Sequence, residues 1–416
     1  MEEKISYNCD VAIIGGGPAG MMAAIFAAQS GAKVILVEKN KTLGKKLLIT
    51  GGGRCNVTNA TFENRALAQK YGEKGKFLLS PFSKWNAQST VDFFESHGMS
   101  TKTEAENRVF PESNSAQSVF DTLEQELKKN GVQVLTNAPV IKIVAQDNII
   151  QKIETVGTTI YAKAFIVTTG GTARPETGSS GDGFRWLTLL GHTIITPDAA
   201  LVPVKTAEAW SHKMSGIALP SVKLALFENG KKVVARTGKI LFTHFGLSGP
   251  LVLNMSNLVN NTLQNNPTLT IDLFPALDQK TLDETLRAHL ASLQNKKWKN
   301  ALAGFIPPLL AHTIVERSGI DPEILVNKIP REARLTFIKL LKNIPLTPSG
   351  LLSLEKAIVS SGGVALEEID FKTMRSTKIK NLYLAGDILD FDRPSGGFSL
   401  QICWTTGFIA GQNAVR

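Results

Sequence analysis

The chain has 416 residues, of which 43% are hydrophobic and 20% charged, and its formal net charge is +10. These values are typical of a globular protein with room for two or three domains. No apolar run reaches the ~18 residues of a membrane span, and the polar start leads straight into a strand, so we expect a cytoplasmic protein with no membrane segment. The three cysteines form no C-x-x-C motif, which argues against a disulfide framework and against a metal site.

The positive charge bears on possible partners. Lysines are scattered in pairs such as Lys45-Lys46 and Lys128-Lys129, without a long basic tract. This pattern favours a solvated surface and makes nucleic-acid binding the weaker hypothesis. A positive field also attracts phosphate-bearing cofactors and acidic substrates, and it does not distinguish between them.

Residues 10–38, DVAIIGGGPAGMMAAIFAAQSGAKVILVE, carry the strongest local signal. A short apolar strand precedes G-x-G-x-x-G, a helix from about Pro18 to Ser30, a second strand and a terminal acid. In such a motif the glycines permit a tight turn, admit a pyrophosphate and let the helix pack on the strand, while the acid binds ribose. The sequence therefore predicts a dinucleotide site, with contacts from Gly15, Gly17, Pro18, Ala19, Gly20, Glu38 and the adjacent Lys39.

The next segment, TLGKKLLITGGGRCNVTN at 42–59, predicts a second cofactor contact. Three consecutive glycines allow backbone to lie against a flat ligand, and polar side chains beside them offer hydrogen-bond donors. An ordinary flexible turn is the alternative interpretation. The predicted contacts are Gly44, Lys45, Gly52, Gly53, Arg54 and Asn56.

Residues 60–110 and 118–130 have the periodicity of amphipathic helices. Residues 131–135 then predict the third strand of the sheet, and Val140 is expected to bring backbone near an adenine. A hairpin or small crossover layer is predicted between 141 and 161.

Residues 164–171, AFIVTTGG, predict another buried strand that ends in small residues. Backbone at Thr169 and Gly170 is thus expected to pass close to a bound nucleotide. From 201 to 273 short alternating strands predict an inserted β domain. From 278 to 343 a leucine stripe and several prolines predict a small helical subdomain.

The last sixty residues return to the cofactor. A strand at 381–385 ends at Gly386-Asp387, and Gly397-Phe398 opens a final helix rich in small residues. A strand-end acid can hold ribityl or ribose hydroxyls, and a helix N-terminus can stabilise the negative charge of a reduced flavin. Two distant segments then contact one extended ligand, which favours noncovalent FAD over NAD.

Five motifs beyond the fingerprint resemble those of the BaiN-like family of NAD(P)/FAD-dependent oxidoreductases, also called the aminoacetone oxidase family. They are GGGRCNVTN (51–59), THFGLSGP (243–250), SSGGVALEEID (360–370), KTMRS (372–376) and LYLAGDILD (382–390). The resemblance covers essentially the whole chain. It implies a doubly wound, mostly parallel α/β FAD domain at 1–195 and 357–416, an inserted β-barrel-like domain at 196–275 and 344–356, and a helical subdomain at 276–343.

The resemblance also implies roles for single residues. Cys55 would approach the ribityl and ring region together with its neighbours in the glycine loop, and Gly386, Asp387, Gly397 and Phe398 would complete the flavin end. The chain departs from the family pattern at Asp387, where a glutamate is usual, and at 396–399, where Gly-Gly-Tyr-Asn is usual.

Flavin chemistry requires few catalytic side chains, because the ring itself accepts and delivers hydride. The protein must supply a proton donor or acceptor, for which His244 is the first candidate and Arg54, as an electrostatic stabiliser, the second. Cys55 and Cys403 are interpreted as packing residues rather than reactive thiols.

Three functions remain open from the sequence. The first is reduction of an activated C=C or C=O bond in a small organic substrate, with NAD(P)H as a transient electron donor. The second is an oxidase that takes hydride from an amine such as aminoacetone and reduces O₂. The third, supported only by the basic composition, is an RNA-associated flavoprotein. The sequence does not predict the oligomeric state.

Overall fold

A computed structural model describes residues 5–352 and 359–415, without the side chains at 197–200 and 359–361. The chain divides into two compact units, residues 1–199 with 354–416 and residues 200–353. We call them the sheet unit and the inserted unit. The three-domain division expected from the sequence is finer and stays a prediction, and its boundary between 356 and 357 lies outside the described residues.

The chain begins with alternating strands and helices and is richer in antiparallel strands in its middle. The strands are β1 (Ile5–Ile14), β2 (Val34–Val37), β3 (Thr58–Asn59), β4 (Thr101–Glu104), β5 (Arg108–Pro111), β6 (Gln133–Leu135), β7 (Val140–Gln146), β8 (Ile149–Thr155), β9 (Thr158–Val167), β10 (Ile194–Ala200), β11 (Val204–Thr206), β12 (Ala218–Glu228), β13 (Lys231–Thr243), β14 (Gly246–Ser248), β15 (Pro267–Asp272), β16 (Ile344–Leu346), β17 (Pro348–Leu351), β18 (Val359–Val364), β19 (Ile369–Asp370), β20 (Arg375–Ser376) and β21 (Leu382–Leu384). The helices are α1 (Pro18–Gln29), α2 (Lys45–Ile49), α3 (Asn64–Gln69), α4 (Leu79–Lys84), α5 (Ala87–Ser96), α6 (Ala116–Lys129), α7 (Asp182–Leu189), α8 (Ala209–Lys213), α9 (Pro250–Leu253), α10 (Ser256–Thr262), α11 (Gln279–Ala291), α12 (Pro308–Arg317), α13 (Arg331–Lys342) and α14 (Phe398–Asn413).

The sheet unit is built on one sheet with the strand order β19-β20-β21-β9-β1-β2-β6. The five strands from β21 to β6 are parallel. The runs Val11–Ile14 and Val34–Val37 pair in register and are buried throughout. Continuous apolar runs of this kind form strands that are covered on both faces. The predicted Rossmann-type sheet is confirmed, as is its third strand at 131–135, which is β6.

Helices α1 and α14 pack against each other at very short distance. A Cβ atom at Gly407 would lie 2.5 Å from Ala19 O, and one at Gly411 would lie 2.4 Å from Ala23 O. Only glycine permits backbone to approach this closely. The C-terminal helix is therefore anchored directly on the helix that follows the G-x-G-x-x-G turn.

The helical prediction for residues 60–110 is wrong at its C-terminal end. Helices α3 to α5 lie in this region, but β4 and β5 pair antiparallel and form a small sheet with β3. Glu106 and Asn107 between them adopt left-handed backbone conformations, with φ of 61° and 58°. Such residues reverse the chain between strands. Of the two alternatives predicted between 141 and 161, the hairpin is confirmed: β7 pairs antiparallel with β8, and β8 pairs antiparallel with the first half of β9.

The inserted unit contains an antiparallel sheet with the order β16-β15-β12-β13-β14-β11-β17. Its longest pair is the β12–β13 hairpin, which lies within the segment of short strands predicted from 201 to 273. Helices α11 and α13 share one hydrophobic cluster with this sheet, and Leu224, Leu286 and Phe337 are fully buried in it. Within residues 5–352 and 359–415, no helix combines the length and apolar character needed to cross a bilayer.

Candidate functional site

The turn between β1 and α1 has the geometry of a phosphate loop. Gly15 has φ +110°, and a Cβ atom there would lie 2.7 Å from Thr168 O. Gly20 lies under the turn, where a Cβ atom would lie 1.9 Å from Gly15 O. At Gly17, by contrast, an added Cβ would meet no atom within 4 Å. Two glycines are therefore required by the protein's own packing, whereas the third leaves open space.

That open space lies at the N-terminus of α1. This 12-residue helix begins after Gly17 with no side-chain cap and no acidic residue in its first turn. Free amide groups and the positive end of a helix attract an anion. The loop therefore fits a pyrophosphate group, and it is the first part of the site.

Glu38, at the end of β2, is fixed beside this loop and is 8% exposed. The Gly16 N–H donates to Oε2 over 2.7 Å, and the backbone N–H and the side-chain amide of Asn40 both donate to Oε1. A carboxylate has about four acceptor positions. One position therefore remains on Oε2 for a ligand hydroxyl.

The segment from 170 to 182 packs against the same region and binds two lysines that were predicted to contact the cofactor. Lys39 Nζ forms an ion pair with Asp182 over 2.8 Å and donates to Ser180 Oγ. Burial alone would raise the pKa of Asp182, but hydrogen bonds from Lys39, Ser180 and Arg185 lower it to about 2. Lys45 Nζ lies 3.5 Å from Glu176 O. Both lysines thus have partners within the protein.

Three further predicted residues lie near this end of the site. The Ala138 N–H donates to Glu38 O over 3.0 Å, which places the start of β7 at Val140 two residues further along. Gly170, after β9, has φ +72° beside Ser179. Thr169 Oγ1 is buried and has no hydrogen-bond partner among the described residues.

The C-terminal strand end meets the phosphate loop from the other side. The Gly386 N–H donates to Thr406 Oγ1 over 2.9 Å, and a Cβ atom at Gly386 would lie 2.7 Å from Ala19 Cβ. Asp387 follows, and its Oδ1 lies 3.1 Å from Arg393 Nη1. The structure therefore brings the N-terminal and C-terminal predicted contacts together at one edge of the sheet.

Charged and thiol groups surround this strand end. Burial lowers the pKa of Lys46, the Asp387 carboxylate opposes this effect, and the Arg393 guanidinium reinforces it. Burial raises the pKa of the Cys403 thiol, and so does the charge of Asp387. Burial also raises the pKa of the Cys55 thiol, to about 12. Both thiols are therefore protonated at neutral pH, in agreement with a packing role.

The triple-glycine loop and the turn before α14 form the remaining wall. Asn59 Nδ2 donates to Gly396 O over 3.1 Å, and Tyr71 Oη donates to Phe398 O over 2.9 Å. Gly397 lies against Thr58, because a Cβ atom there would lie 2.4 Å from the Thr58 backbone. The glycines at 52 and 53 face open space, as Gly17 does.

Arg54 and Asn56, on the same loop, differ in their surroundings. The Arg54 guanidinium forms an ion pair with Glu104 and lies 4.1 Å from the centre of the Phe110 ring. It also donates to Asn114 Oδ1. Asn56 Oδ1, in contrast, is buried without a hydrogen-bond partner among the described residues.

These features fit FAD. The phosphate loop offers a cradle that a Cβ atom would fill, Glu38 retains acceptor capacity, and the buried Asn56 and Thr169 oxygens lack partners within the described protein. Buried polar atoms normally have partners, so these two unpaired oxygens, in segments predicted to contact the cofactor, are consistent with a bound polar ligand.

His244, the first proton-donor candidate, lies in the inserted unit directly after β13. Its ring is exposed and contacts Phe245 edge-to-face, with centroids 4.8 Å apart. No hydrogen bond to its imidazole is formed within the described part of the chain. It is therefore not a hydrogen-bonded scaffold residue, and its role in proton transfer stays a prediction.

Sequence reasoning missed Lys46 and Arg393. Lys46 stands next to the predicted contact Lys45, and Arg393 stands three residues before the Gly396-Gly397 turn. A basic residue beside a glycine-rich cofactor motif was the available signal for both. Among the described residues, no group of three or more His, Cys, Asp or Glu side chains could hold a metal ion.

Comparison with known proteins agrees with this geometry. The HI0933-like protein Rossmann domain model matches residues 9–413. The 3-dehydro-bile acid delta(4,6)-reductase of Clostridium scindens is 30% identical over 413 residues, which cover 98% of this chain and 99% of the relative. The ribosomal RNA dihydrouridine synthase of Escherichia coli is 30% identical over 410 residues, which cover 98% of each chain.

A solved structure supports the fold. The 3-ketosteroid-delta4-(5alpha)-dehydrogenase of Rhodococcus jostii RHA1 superposes with a TM-score of 0.56 at 14% identity, over 100% of this chain and 98% of the other. At this identity the likeness concerns the fold alone. The family match and the two full-length relatives decide the classification: the chain belongs to the HI0933-like Rossmann family and is an FAD-dependent oxidoreductase of that family.

Proposed function

We propose that the protein reduces a C=C bond conjugated to a carbonyl group, with NAD(P)H as the electron donor. The observation that carries this proposal is the convergence of the phosphate loop with Gly386-Asp387 at one sheet edge, which supports an FAD site. The names of the two full-length relatives describe reductions of this bond type, in a bile-acid ring and in the uracil ring. They favour reduction over the amine oxidase alternative.

Bound FAD would supply the hydride. The chain's own part is to hold and orient this group: the phosphate loop would bind the pyrophosphate, Glu38 the adenosine ribose, and Asp387 the ribityl hydroxyls. Asn56 and Thr169, whose buried oxygens lack partners among the described residues, would hydrogen-bond to the cofactor. His244 would donate the proton that accompanies hydride transfer.

NAD(P)H would bind only transiently. The sequence contains one G-x-G-x-x-G between a strand and a helix, and no second one. A second nucleotide domain is the usual way to hold a resident nicotinamide cofactor. NAD(P)H would therefore reduce the flavin and leave before the substrate enters.

A second candidate substrate is a uracil base within RNA. Residues 200–353 contain 18 of the 46 lysines and arginines but only 10 of the 36 aspartates and glutamates. The inserted unit thus carries +8 of the net charge of +10. On the β12–β13 hairpin, Lys223, Lys231, Lys232, Arg236 and Lys239 are all exposed. Clustered positive charge of this kind favours a polyanionic substrate.

An anaerobic reduction experiment tests these assignments. The yellow holoprotein is mixed separately with NADH, NADPH and aminoacetone, and the loss of the visible flavin band is recorded. Bleaching by a nicotinamide supports the reductase. Bleaching by the amine alone, with peroxide formed on admission of air, contradicts it and supports the oxidase.

The substrate class is tested by reoxidation of the reduced protein. A 3-oxo-4-ene steroid and unmodified ribosomal RNA are each added without oxygen. Reoxidation by RNA, with dihydrouridine detected by mass spectrometry and a steep salt dependence, supports the RNA substrate. Reoxidation by the steroid alone supports the small-molecule substrate.

A further inference from the structure

The sheet unit contains a buried ion pair at its C-terminal strand end. The Arg393 side chain is fully buried, and its Nη1 lies 3.1 Å from Asp387 Oδ1, while the Asp387 side chain is 16% exposed. A guanidinium stays charged at every physiological pH. Burying one is costly unless partners compensate for the lost hydration, and Asp387 provides a charged partner.

The pair is formed across a short turn. Arg393 Nη1 also lies 3.5 Å from Leu389 O, so the side chain folds back over the segment between β21 and α14. Asp387 directly follows Gly386, which touches Ala19 at the start of α1. The carboxylate therefore stands at the rim of the phosphate loop, and the cation that holds it lies behind it, away from solvent.

The charged side chains at this edge of the sheet set the electrostatic potential that acts on an anionic ligand. Lys46, on α2, lies within electrostatic reach of Asp387, Arg393 and Glu176. The Gly44 N–H donates to Gly16 O over 2.9 Å, which ties the start of α2 to the phosphate loop. Of the two cations Lys46 and Arg393, it is Arg393 that forms an ion pair with Asp387. Without Arg393, the Asp387 carboxylate would lose this ion pair beside the phosphate loop.

We propose that Arg393 is a positioning residue for FAD, which fixes and neutralises the Asp387 carboxylate so that the acid can accept ribityl hydroxyls beside an anionic pyrophosphate. The guanidinium acts through Asp387. Its effect is on FAD binding, and it is independent of the substrate and of the electron donor.

A double-mutant cycle tests this proposal. FAD dissociation constants are measured by fluorescence for the wild type, R393Q, D387N and D387N/R393Q. In the wild-type background R393Q should weaken FAD binding by at least about tenfold, because one partner of a buried charge pair is lost. In the D387N background the same change should alter the constant by less than about threefold, because no carboxylate remains to be positioned.

Matched measurements separate positioning from a general loss of stability. R375Q makes the same chemical change at an exposed arginine of the same sheet and should leave FAD binding unchanged. The melting temperature is recorded with and without saturating FAD for each variant. Positioning predicts that R393Q loses most of the stabilisation that FAD provides, whereas a purely structural role predicts an equal drop in both forms.

Either of two results for R393Q would overturn the proposal. Arg393 does not act through Asp387 if R393Q weakens FAD binding by the same factor in both backgrounds, or if it leaves FAD binding unchanged. Should R393Q fail to fold alone, D387N and D387N/R393Q decide between the outcomes. Equal FAD dissociation constants for these two variants support the proposal, and FAD binding that is a further tenfold weaker in the double variant contradicts it.

Discussion

Trp404 donates its indole Nε1–H to the backbone carbonyl oxygen of Val57 over 2.9 Å, across 347 residues of chain. Val57 closely follows the triple-glycine loop, and Trp404 lies in α14, the helix that begins at Phe398. Beside this bond, Thr58 Oγ1 donates to Gln401 Oε1 over 2.5 Å. The two distant segments predicted to contact one ligand are thus joined by buried hydrogen bonds.

Replacing Trp404 with phenylalanine should destabilise the protein by about 1–3 kcal/mol, because the Val57 carbonyl would be buried without its donor. Urea unfolding measures this change. The control is W186F, because Trp186 is half-buried and its indole forms no hydrogen bond in the described part of the chain. Equal effects of the two substitutions would contradict the role given to the Val57 bond.

Local motifs made part of this site predictable. Gly15, Gly17 and Gly20 lie within six consecutive residues between a strand and a helix, so their spacing alone indicated the phosphate loop. The parallel strands were predictable because Val11–Ile14 and Val34–Val37 are apolar without interruption. The sequence also placed Gly386-Asp387 at a strand end, where parallel strands bring ligand contacts together.

Contacts between distant segments were not predictable in the same way. The side chain of Arg54 turns to Glu104, which is 50 residues away, and Lys39 turns to Asp182, which is 143 residues away. No periodicity connects such pairs. Arg393 is only six residues from Asp387, but it lies in an irregular segment whose direction depends on how α14 packs on α1.

Gly17→Val should abolish FAD retention and leave the fold intact. The backbone of Gly17 is extended, with φ −79°, and its Cβ position is free of protein atoms. A valine there would therefore occupy the space proposed for the pyrophosphate without clashing with the protein. The flavin content of the purified protein, from its absorbance spectrum, measures the effect.

Gly157→Val is the matched control, because Gly157 also has no atom within 4 Å of its Cβ position. It lies in the turn between β8 and β9, outside the site. This variant should be as yellow as the wild type. A G17V protein that retained stoichiometric FAD would contradict the position assigned to the pyrophosphate.

Arg54 is expected to act as a clamp for the glycine loop. Its guanidinium pairs with Glu104, donates to Asn114 Oδ1 and packs on the Phe110 ring. Lysine cannot reproduce this planar fork, so R54K should lower the melting temperature slightly, because solvent exposure of the pair limits its contribution. Its FAD should also dissociate faster.

Two further variants complete the test of Arg54. E104Q removes the partner and should resemble R54K in thermal stability and FAD release, whereas R65K, at an exposed arginine, should behave like the wild type. The opposite hypothesis is that the positive charge of Arg54 stabilises a transition state. It would be supported if R54K kept wild-type turnover while R54Q lost it.

His192 should make the stability of the sheet unit depend on pH. Its Nδ1 lies 2.9 Å from Glu368 Oε2, and its Nε2 lies 2.9 Å from Ser376 Oγ. Ser376 Oγ already accepts hydrogen bonds from the amides of Lys378 and Ile379. The hydroxyl therefore donates to Nε2, and the histidine is neutral, with its proton on Nδ1.

The sign of the pH effect follows from two pKa shifts. Burial lowers the pKa of His192 from its usual 6.5, although Glu368 opposes the shift. Burial would raise the pKa of Glu368, but hydrogen bonds from Lys378, Thr193 and His192 lower it to about 2. This carboxylate therefore stays ionised over the range of about pH 5 to 8 in which histidine titrates. As the pH falls, the histidine of the unfolded chain, which has the higher pKa, is protonated before that of the folded protein. The contribution of His192 to the free energy of unfolding is therefore fully present above about pH 6.5 and is lost as the pH drops below it.

The slope of unfolding free energy against pH tests this assignment. Between the unfolded and folded pKa values, His192 should contribute up to about 1.4 kcal/mol per pH unit. H192Q removes this titration, so its free energy of unfolding should change less between pH 7 and pH 5 than that of the wild type. H312Q, at a largely exposed histidine, should keep the wild-type slope. If H192Q kept it as well, the acid sensitivity would have to come from another group.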